Sequence, residues 1–576
     1  MTNNPRIYLW IALALMAWLN WDAYQRDYAP AATITNTTHP ANANPATATN
    51  SAGDIANQIP QAAKENPSAQ NGATPNGAAP TAAAESTSTS ATPASAAPVA
   101  PAVHVHTDVL DMDISTLGGT IQRADLLKYP KVKGETAPVR LENQDDPETT
   151  YLLQSGLTGS QPTPSHLTPL QSAKSDYELG ANENELRVPL TWTSDKGVQV
   201  TKTFIFRRGN YAIDIEYDVE NHSDAPWSAA PYAQLLRNDP RTKRSMFNVE
   251  TYAYHGPAFF DGKKYKKLDT TDSADSHLSV EVTNGWIAAL QHHFVSAIVP
   301  PKDQKYHFTL KSDGDRFSLA AMGNTHTVAP GASAKFGTDI FVGPKLQRQL
   351  KATGPELARV TDYNYLYILA QPLFIVLDTV DRFFGNWGVA IILVTFLLKL
   401  CFYPLSEASG RSMAKMKQLQ PRIKALQDTY KDDAEKRGRA MMELYQREKI
   451  NPVAGCLPII IQIPVFLAFY WVLLESVEMR QAPFAFWIHD LSSRDPYFVL
   501  PAIMAAAMFG QYKLNPAPPD PVQAKVFMFM PLVMSFMFAF FPAGLVLYWV
   551  TNTCLSIAQQ WNINRRIAAE AAKRKN

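Results

Sequence analysis

Hydrophobic and polar positions alternate with period two in one part of the chain and form unbroken apolar runs in others. The clearest alternation lies in Val198 to Asn221. Ile213, Ile215, Tyr217 and Val219 fall on one face, and Asp214, Glu216, Asp218 and Glu220 on the other. Arg208-Gly209-Asn210 separates this run from VQVTKTFIF, the pattern of a hairpin with one wet face. Similar short strands are predicted at Val105 to Ile114, Leu186 to Trp192, Ser279 to Thr283 and Tyr306 to Leu310, with Gly-, Pro-, Asn- and Asp-rich turns between them. Residues 102–345 are therefore expected to form an all-β sandwich.

The apolar runs predict six transmembrane helices: Ile7 to Trp21, Trp387 to Leu405, Cys456 to Val477, Tyr497 to Tyr512, Val526 to Phe541 and Gly544 to Trp561. Small cleavage-site residues do not follow the first run closely, and Trp18, Trp21 and Tyr24 suit an interfacial belt, so residues 1–28 read as an uncleaved anchor. Residues 29–101 are Ala, Pro, Thr, Ser and Asn with almost no charge, too polar to offset ordering entropy, and read as a disordered linker. Within 346–385, a helix from Pro355 to Phe384 has an apolar face broken by Asp378, Asp381, Arg382 and Pro372. That suits a helix lying in the membrane interface, with packing on the β domain as the alternative. Only Pro542 and Ala543 clearly separate the last two spans, so 456–562 holds four further helices ending in a tight hairpin.

Net charge is +1, so no global field points to nucleic acid, and no nucleic-acid readout is expected. Local charge is more informative. Eleven Lys and Arg residues lie between Ser406 and Gly455, and the tail, 563–576, is also basic. The Glu478 to Pro496 loop has only Arg480 and Arg494. The basic insert and C-terminus are therefore expected in the cytoplasm and the β domain outside, in the periplasm. The three cysteines, Cys401, Cys456 and Cys554, all lie in apolar runs and read as buried, inert thiols.

The insert, 406–455, reads as two amphipathic helices forming a hairpin with Lys431-Asp432-Asp433 at its turn. Its Met-rich apolar faces and basic residues, among them Met413, Lys415, Lys417, Arg422 and Lys424, suit docking of a partner, with a solvated positive-inside loop as the alternative. Within 386–405, Thr395 and Lys399 are one helical turn apart and share a face. Gln462 lies one turn into the next span, and Tyr548 and Asn552 share a face of the last. No acid lies at the depth of Lys399 in these spans. A lysine at the centre of a span costs about 2.5–3.5 kcal/mol on insertion scales, so it is expected to face a wet cavity open to the cytoplasm. No Walker loop, nucleophile elbow, HExxH or dinucleotide fingerprint occurs, so neither a cofactor nor catalysis is expected. His104 with His106, and His292 with His293, have no third ligand at a recognisable spacing and read as surface or core histidines; no metal is expected.

FVGPK at Phe341, GNWG at Gly385, YPL at Tyr403, SMAKM at Ser412 and LQP at Leu419 are accompanied by NPVAGCLP at Asn451 and QIPVF at Gln462. QAPFAFWIHDLSSRDPY at Gln481 and FPAGLVLYW at Phe541 complete the series. In order and spacing the chain after the linker resembles the YidC membrane-protein insertases, in their Gram-negative form. The resemblance implies a five-helix insertase core with a hydrophilic groove open to cytoplasm and lipid. It implies an inner-membrane, multi-pass location and a β domain similar to a sugar-mutarotase sandwich. It also implies as partners nascent membrane proteins, the Sec translocon, the ribosome with the signal-recognition targeting machinery, and anionic lipids. The groove cation maps to Lys399, where the family usually has arginine, and substrate contacts to Thr395, Phe466, Met504, Tyr548 and Trp549. A small-solute transporter using the same polar groove is the alternative, though no inverted repeat supports it. A tethered periplasmic sugar enzyme is a third reading.

Overall fold

A computed structural model describes residues 101–132, 134–239, 253–363, 366–430, 433–448, 457–514 and 521–575, together with 58 and 60. The expected anchor, 1–28, and nearly all of the linker lie outside the described residues.

The β domain is two mainly antiparallel sheets, one of eleven strands and one of nine. At one edge region of the larger sheet lie β1 (Ala102–His106), β2 (Leu110–Ser115) and β3 (Ile121–Pro130). The predicted alternation is present in Ala212–Asn221: Ile213, Ile215, Tyr217 and Val219 are buried, and the acidic residues between them are not. Its turn places Gly209 at φ +69°, a conformation glycine adopts without Cβ strain. The two inner faces pool their side chains into one apolar core around Trp286, Phe204, Phe308 and Phe341. Apolar side chains on every second position make two half-wet sheets, and only face-to-face stacking buries both apolar faces.

Val105 to Ile114 is not one strand. Thr107 Oγ1 accepts from the backbone N–H of Leu110 at 2.9 Å and closes a turn between β1 and β2. The single helix expected from Pro355 is instead α1 (Gln347–Thr353), a short 3-10 turn at Leu357–Val360, and α2 (Tyr367–Phe384). Glu356 at φ +52° and the proline before it interrupt the helix. Pro372 lies inside α2 without ending it. Ala370, Phe374 and Leu377 of α2 face the helical core, while Ile368, Ile375, Phe383 and Phe384 are exposed.

The remaining helices are α3 (Trp387–Cys401), α4 (Tyr403–Gln418), α5 (Gln420–Thr429), α6 (Ala434–Arg447), α7 (Leu457–Glu475), α8 (Val499–Leu514), α9 (Pro521–Phe538) and α10 (Ala543–Lys575). Among the described residues no single helix is long and apolar enough to cross a membrane; the pair α3 and the first part of α4, bent by 68°, passes on length and composition together. Among its described residues the basic insert has three helical pieces rather than two. Its first arm starts at Tyr403, and the break at Leu419, next to Pro421, divides it. The basic tail is not a separate segment but continues α10 to Lys575. Cys401 and Cys554 are exposed, not buried, and the Cys456 side chain lies outside the described residues.

The β domain is fastened to the helices at the end of α7 and in the segment just after it. His292 Nε2 donates to Leu474 O at 3.0 Å, and Gln347 N donates to Glu478 Oε1 at 3.3 Å. Arg480 Nη2 donates to Pro130 O at 3.0 Å, and Gln481 Nε2 to the same oxygen at 3.0 Å. Lys345, which follows the last strand, is 1 % exposed. Burial, with the Lys345 charge nearby, pushes the His292 imidazole down to about 3, so it stays neutral and serves this junction as a donor.

Candidate functional site

The site is assembled from α3, α7 and α10. The start of α3 is fixed by Asn386. Its Oδ1 accepts from Val389 N at 3.0 Å, and its Nδ2 donates to Phe484 O at 2.8 Å. A Cβ on Gly388 would lie 2.0 Å from Phe484 Cδ2, so the GNWG and QAPF segments pack where only glycine fits. This contact sets the height of α3, and hence of Thr395 and Lys399, against the rest of the bundle.

Thr395 is buried, and its Oγ1 donates to Ile391 O at 2.6 Å. One turn on, the half-buried Lys399 donates from Nζ to Ser556 Oγ at 2.8 Å. Ser556 Oγ in turn donates to Asn552 O at 2.7 Å. Gln462 Nε2 donates to Asn552 Oδ1 at 2.6 Å, linking α7 to α10. Tyr548, Asn552 and Ser556 recur every four residues and present one polar stripe of α10.

These groups surround a cleft lined by Thr395, Lys399, Gln462, Tyr548 and Asn552 with Leu398, Phe402, Leu405, Ser406 and Val465. Among the described residues no carboxylate forms an ion pair with Lys399; its recorded partner is the Ser556 hydroxyl. A cation held by a neutral hydroxyl in a mixed polar and apolar cleft keeps a positive field directed into that cleft.

Phe466 and Trp549 stand beside the cleft rather than lining it. Their rings meet edge to face at 4.9 Å, and Phe466 stacks on Tyr548 at 6.1 Å. Met504 does not join the group: it is 0 % exposed in the apolar core of α8. Ser556 was missed from the sequence, although it lies four residues beyond Asn552 on the stripe already recognised.

In the basic insert, Met413 is half-buried, and Lys415, Arg422 and Lys424 are exposed; the Lys417 side chain lies outside the described residues. The apolar faces close on each other: Leu419, Ile423 and Met416 pack with Met441, Leu444 and Tyr445. Arg422 Nη1 pairs with Glu448 at 2.7 Å, joining the arms. Met416 and Met441 therefore serve the hairpin's own core, while Met442 stays exposed alongside the basic side. Ile563 of α10 packs where Gly410 of α4 lacks a side chain, at 2.7 Å from a Cβ position there, which seats the insert against the tail.

Two family models match the chain: "YidC periplasmic domain" over residues 102–376 and "60Kd inner membrane protein" over 379–570. The membrane protein insertase YidC of Thioalkalivibrio sulfidiphilus is 43 % identical, with 99 % of this chain and 100 % of the relative covered. That of Nitrosococcus oceani is 43 % identical at the same coverages. A crystal structure of an active YidC insertase aligns over 80 % of this chain and 94 % of that one, at 18 % identity and a TM-score of 0.36. Both sequence relatives are named membrane protein insertases, and the transporter reading finds no support in them. The chain belongs to the YidC family of membrane protein insertases.

Proposed function

We propose that the Lys399 cleft is the groove through which this inner-membrane insertase passes a substrate's membrane segment from the cytoplasm into lipid. The observation that carries the reading is Lys399 inside the cleft, held by Ser556 and lined by Gln462, Asn552 and Tyr548. An acidic substrate segment is attracted to that cation, and the polar cleft shortens the apolar barrier it must cross. Partitioning of the apolar segment into lipid, and the membrane potential at about 2.3 kcal/mol per charge per 100 mV, then drive release without a nucleotide. Phe466 and Trp549 form the aromatic wall along which the segment leaves.

The topology that goes with this function has six transmembrane helices, five of them forming the core, with α2 in the outer interface. The N-terminus, basic hairpin and C-terminus are cytoplasmic, and the β domain is periplasmic. The exposed basic side of the hairpin, with Lys415, Arg422 and Lys424, receives the ribosome and signal-recognition machinery or anionic headgroups. The Sec translocon is a further partner. Lysine in place of the usual arginine keeps the charge without the planar bidentate fork, so attraction rather than fork geometry is the property in use.

Photocrosslinkers at Gln462 and Phe466 should capture a ribosome-bound nascent membrane protein, while one at the fully buried Met504 should not. No adduct at either groove position, with the protein folded and membrane-inserted, contradicts the groove assignment.

A further inference from the structure

We propose that His104, His106 and Asp111 form a site for a divalent transition cation of the zinc class on the outer face of the β domain. The site comes from strand register, not from sequence spacing. In β1, His104 and His106 are two residues apart and point to the same wet side, with Val103 and Val105 buried beneath them. The antiparallel pairing sets His104 opposite Asp113 and His106 opposite Asp111. The three metal-binding atoms lie within 4.8 Å of one another. His106 Nδ1 is 3.0 Å from Asp111 Oδ2, and His104 Nε2 is 3.5 Å from the same oxygen. Ligands of a tetrahedral zinc, bound at about 2.0–2.1 Å, stand about 3.3–3.4 Å apart, so the two carboxylate–imidazole spacings need little change to accept the ion.

The neighbouring groups orient the ligands. His104 Nδ1 lies 2.9 Å from Asp113 Oδ1, the carboxylate–imidazole arrangement that turns the other ring nitrogen, Nε2, towards a metal. Arg123 Nη2 donates to Asp111 Oδ1 at 2.7 Å, leaving Oδ2 directed at both histidines. The surrounding face is acidic: Asp111, Asp113, Asp125 and Asp145, with Asp176 and Glu178 opposite the two histidines on the neighbouring strand, outnumber the guanidiniums of Arg123 and Arg140. A divalent cation offsets part of this negative charge.

The ion would staple β1 to β2. β1 is the first strand of the domain, and its other neighbour is only the short parallel strand Asp176–Glu178. Three protein ligands leave a fourth position for water. Because the histidines are part-exposed on the surface, replacing them leaves the sandwich core intact.

The test is zinc titration by calorimetry of the full-length protein, purified without a histidine tag, with cobalt absorption as a second readout. One ion per chain should bind, and His104→Ala and His106→Ala should each weaken binding at least tenfold. His222→Ala, a surface histidine elsewhere, should leave binding unchanged. Zinc should raise Tm of the wild type and not of the double variant. Absence of zinc binding, or equal affinity and stoichiometry in the His104→Ala/His106→Ala protein, overturns the proposal.

Discussion

Replacing Glu142 with glutamine should stabilise the β domain at pH 8.5 and leave it almost unchanged at pH 4.5. Glu142 is fully buried between the sheets. Its Oε1 accepts from Ser296 Oγ, and Oε2 has no hydrogen-bond partner among the described residues. Burial pushes the carboxyl up to about 7 from 4.5, against smaller lowering effects from the Ser296 hydroxyl and the Arg237 charge. The folded state therefore holds the proton more tightly than the unfolded chain. Below the unfolded value both states are protonated and the group imposes no penalty. The penalty grows as pH rises through the interval and is complete above about 7. A shift of this size corresponds to about 3 kcal/mol, since one unit is about 1.4 kcal/mol. In a domain of this size that is on the order of 6–12 °C in Tm. Differential scanning of the full-length protein at the two pH values reads the effect. Equal gains at both, or a loss at pH 8.5, refute the reasoning.

Two further perturbations probe the helical core. Gln462→Leu and Asn552→Leu, alone and together, should show a coupling of about 0.6 kcal/mol, and at most about 1.7, in detergent unfolding; no coupling would mean that their 2.6 Å hydrogen bond contributes nothing. Gly388→Ala should cost about 1–3 kcal/mol of core stability by driving a methyl into Phe484, and insertion should fall with it; an unchanged Tm would contradict that packing.

How much was legible in the sequence follows from which interactions are local. Ile213, Ile215, Tyr217 and Val219 announced their strand because period-two burial is a property of neighbouring residues. Thr395 with Lys399, and Tyr548 with Asn552, were legible for the same reason at helical spacing. The strand break at Thr107 was not, because Thr107 and Asp108 continue a plausible alternation while the threonine hydroxyl closes a turn. Lys399 and Ser556 are 157 residues apart, and no local pattern pairs them. Met504 looked like a groove residue only through family resemblance, and its full burial follows from how α8 packs. The approach of Asp111 to His104 and His106 depends on hairpin register, which ligand-spacing rules do not capture. The apolar faces of the basic insert were visible as faces, but that they close on each other required the fold.

The central claim is that positive charge at Lys399 draws acidic substrate segments into the cleft. It is tested most directly by insertion rates into proteoliposomes for two substrates that differ only in an acidic or a neutral translocated tail, with Lys399→Glu and Lys399→Arg. Lys399→Glu should slow the acidic substrate roughly tenfold more than the neutral one, the effect of about 1.4 kcal/mol from turning attraction into repulsion. Lys399→Arg should keep both rates near wild type. Equal slowing of the two substrates by Lys399→Glu would contradict the account.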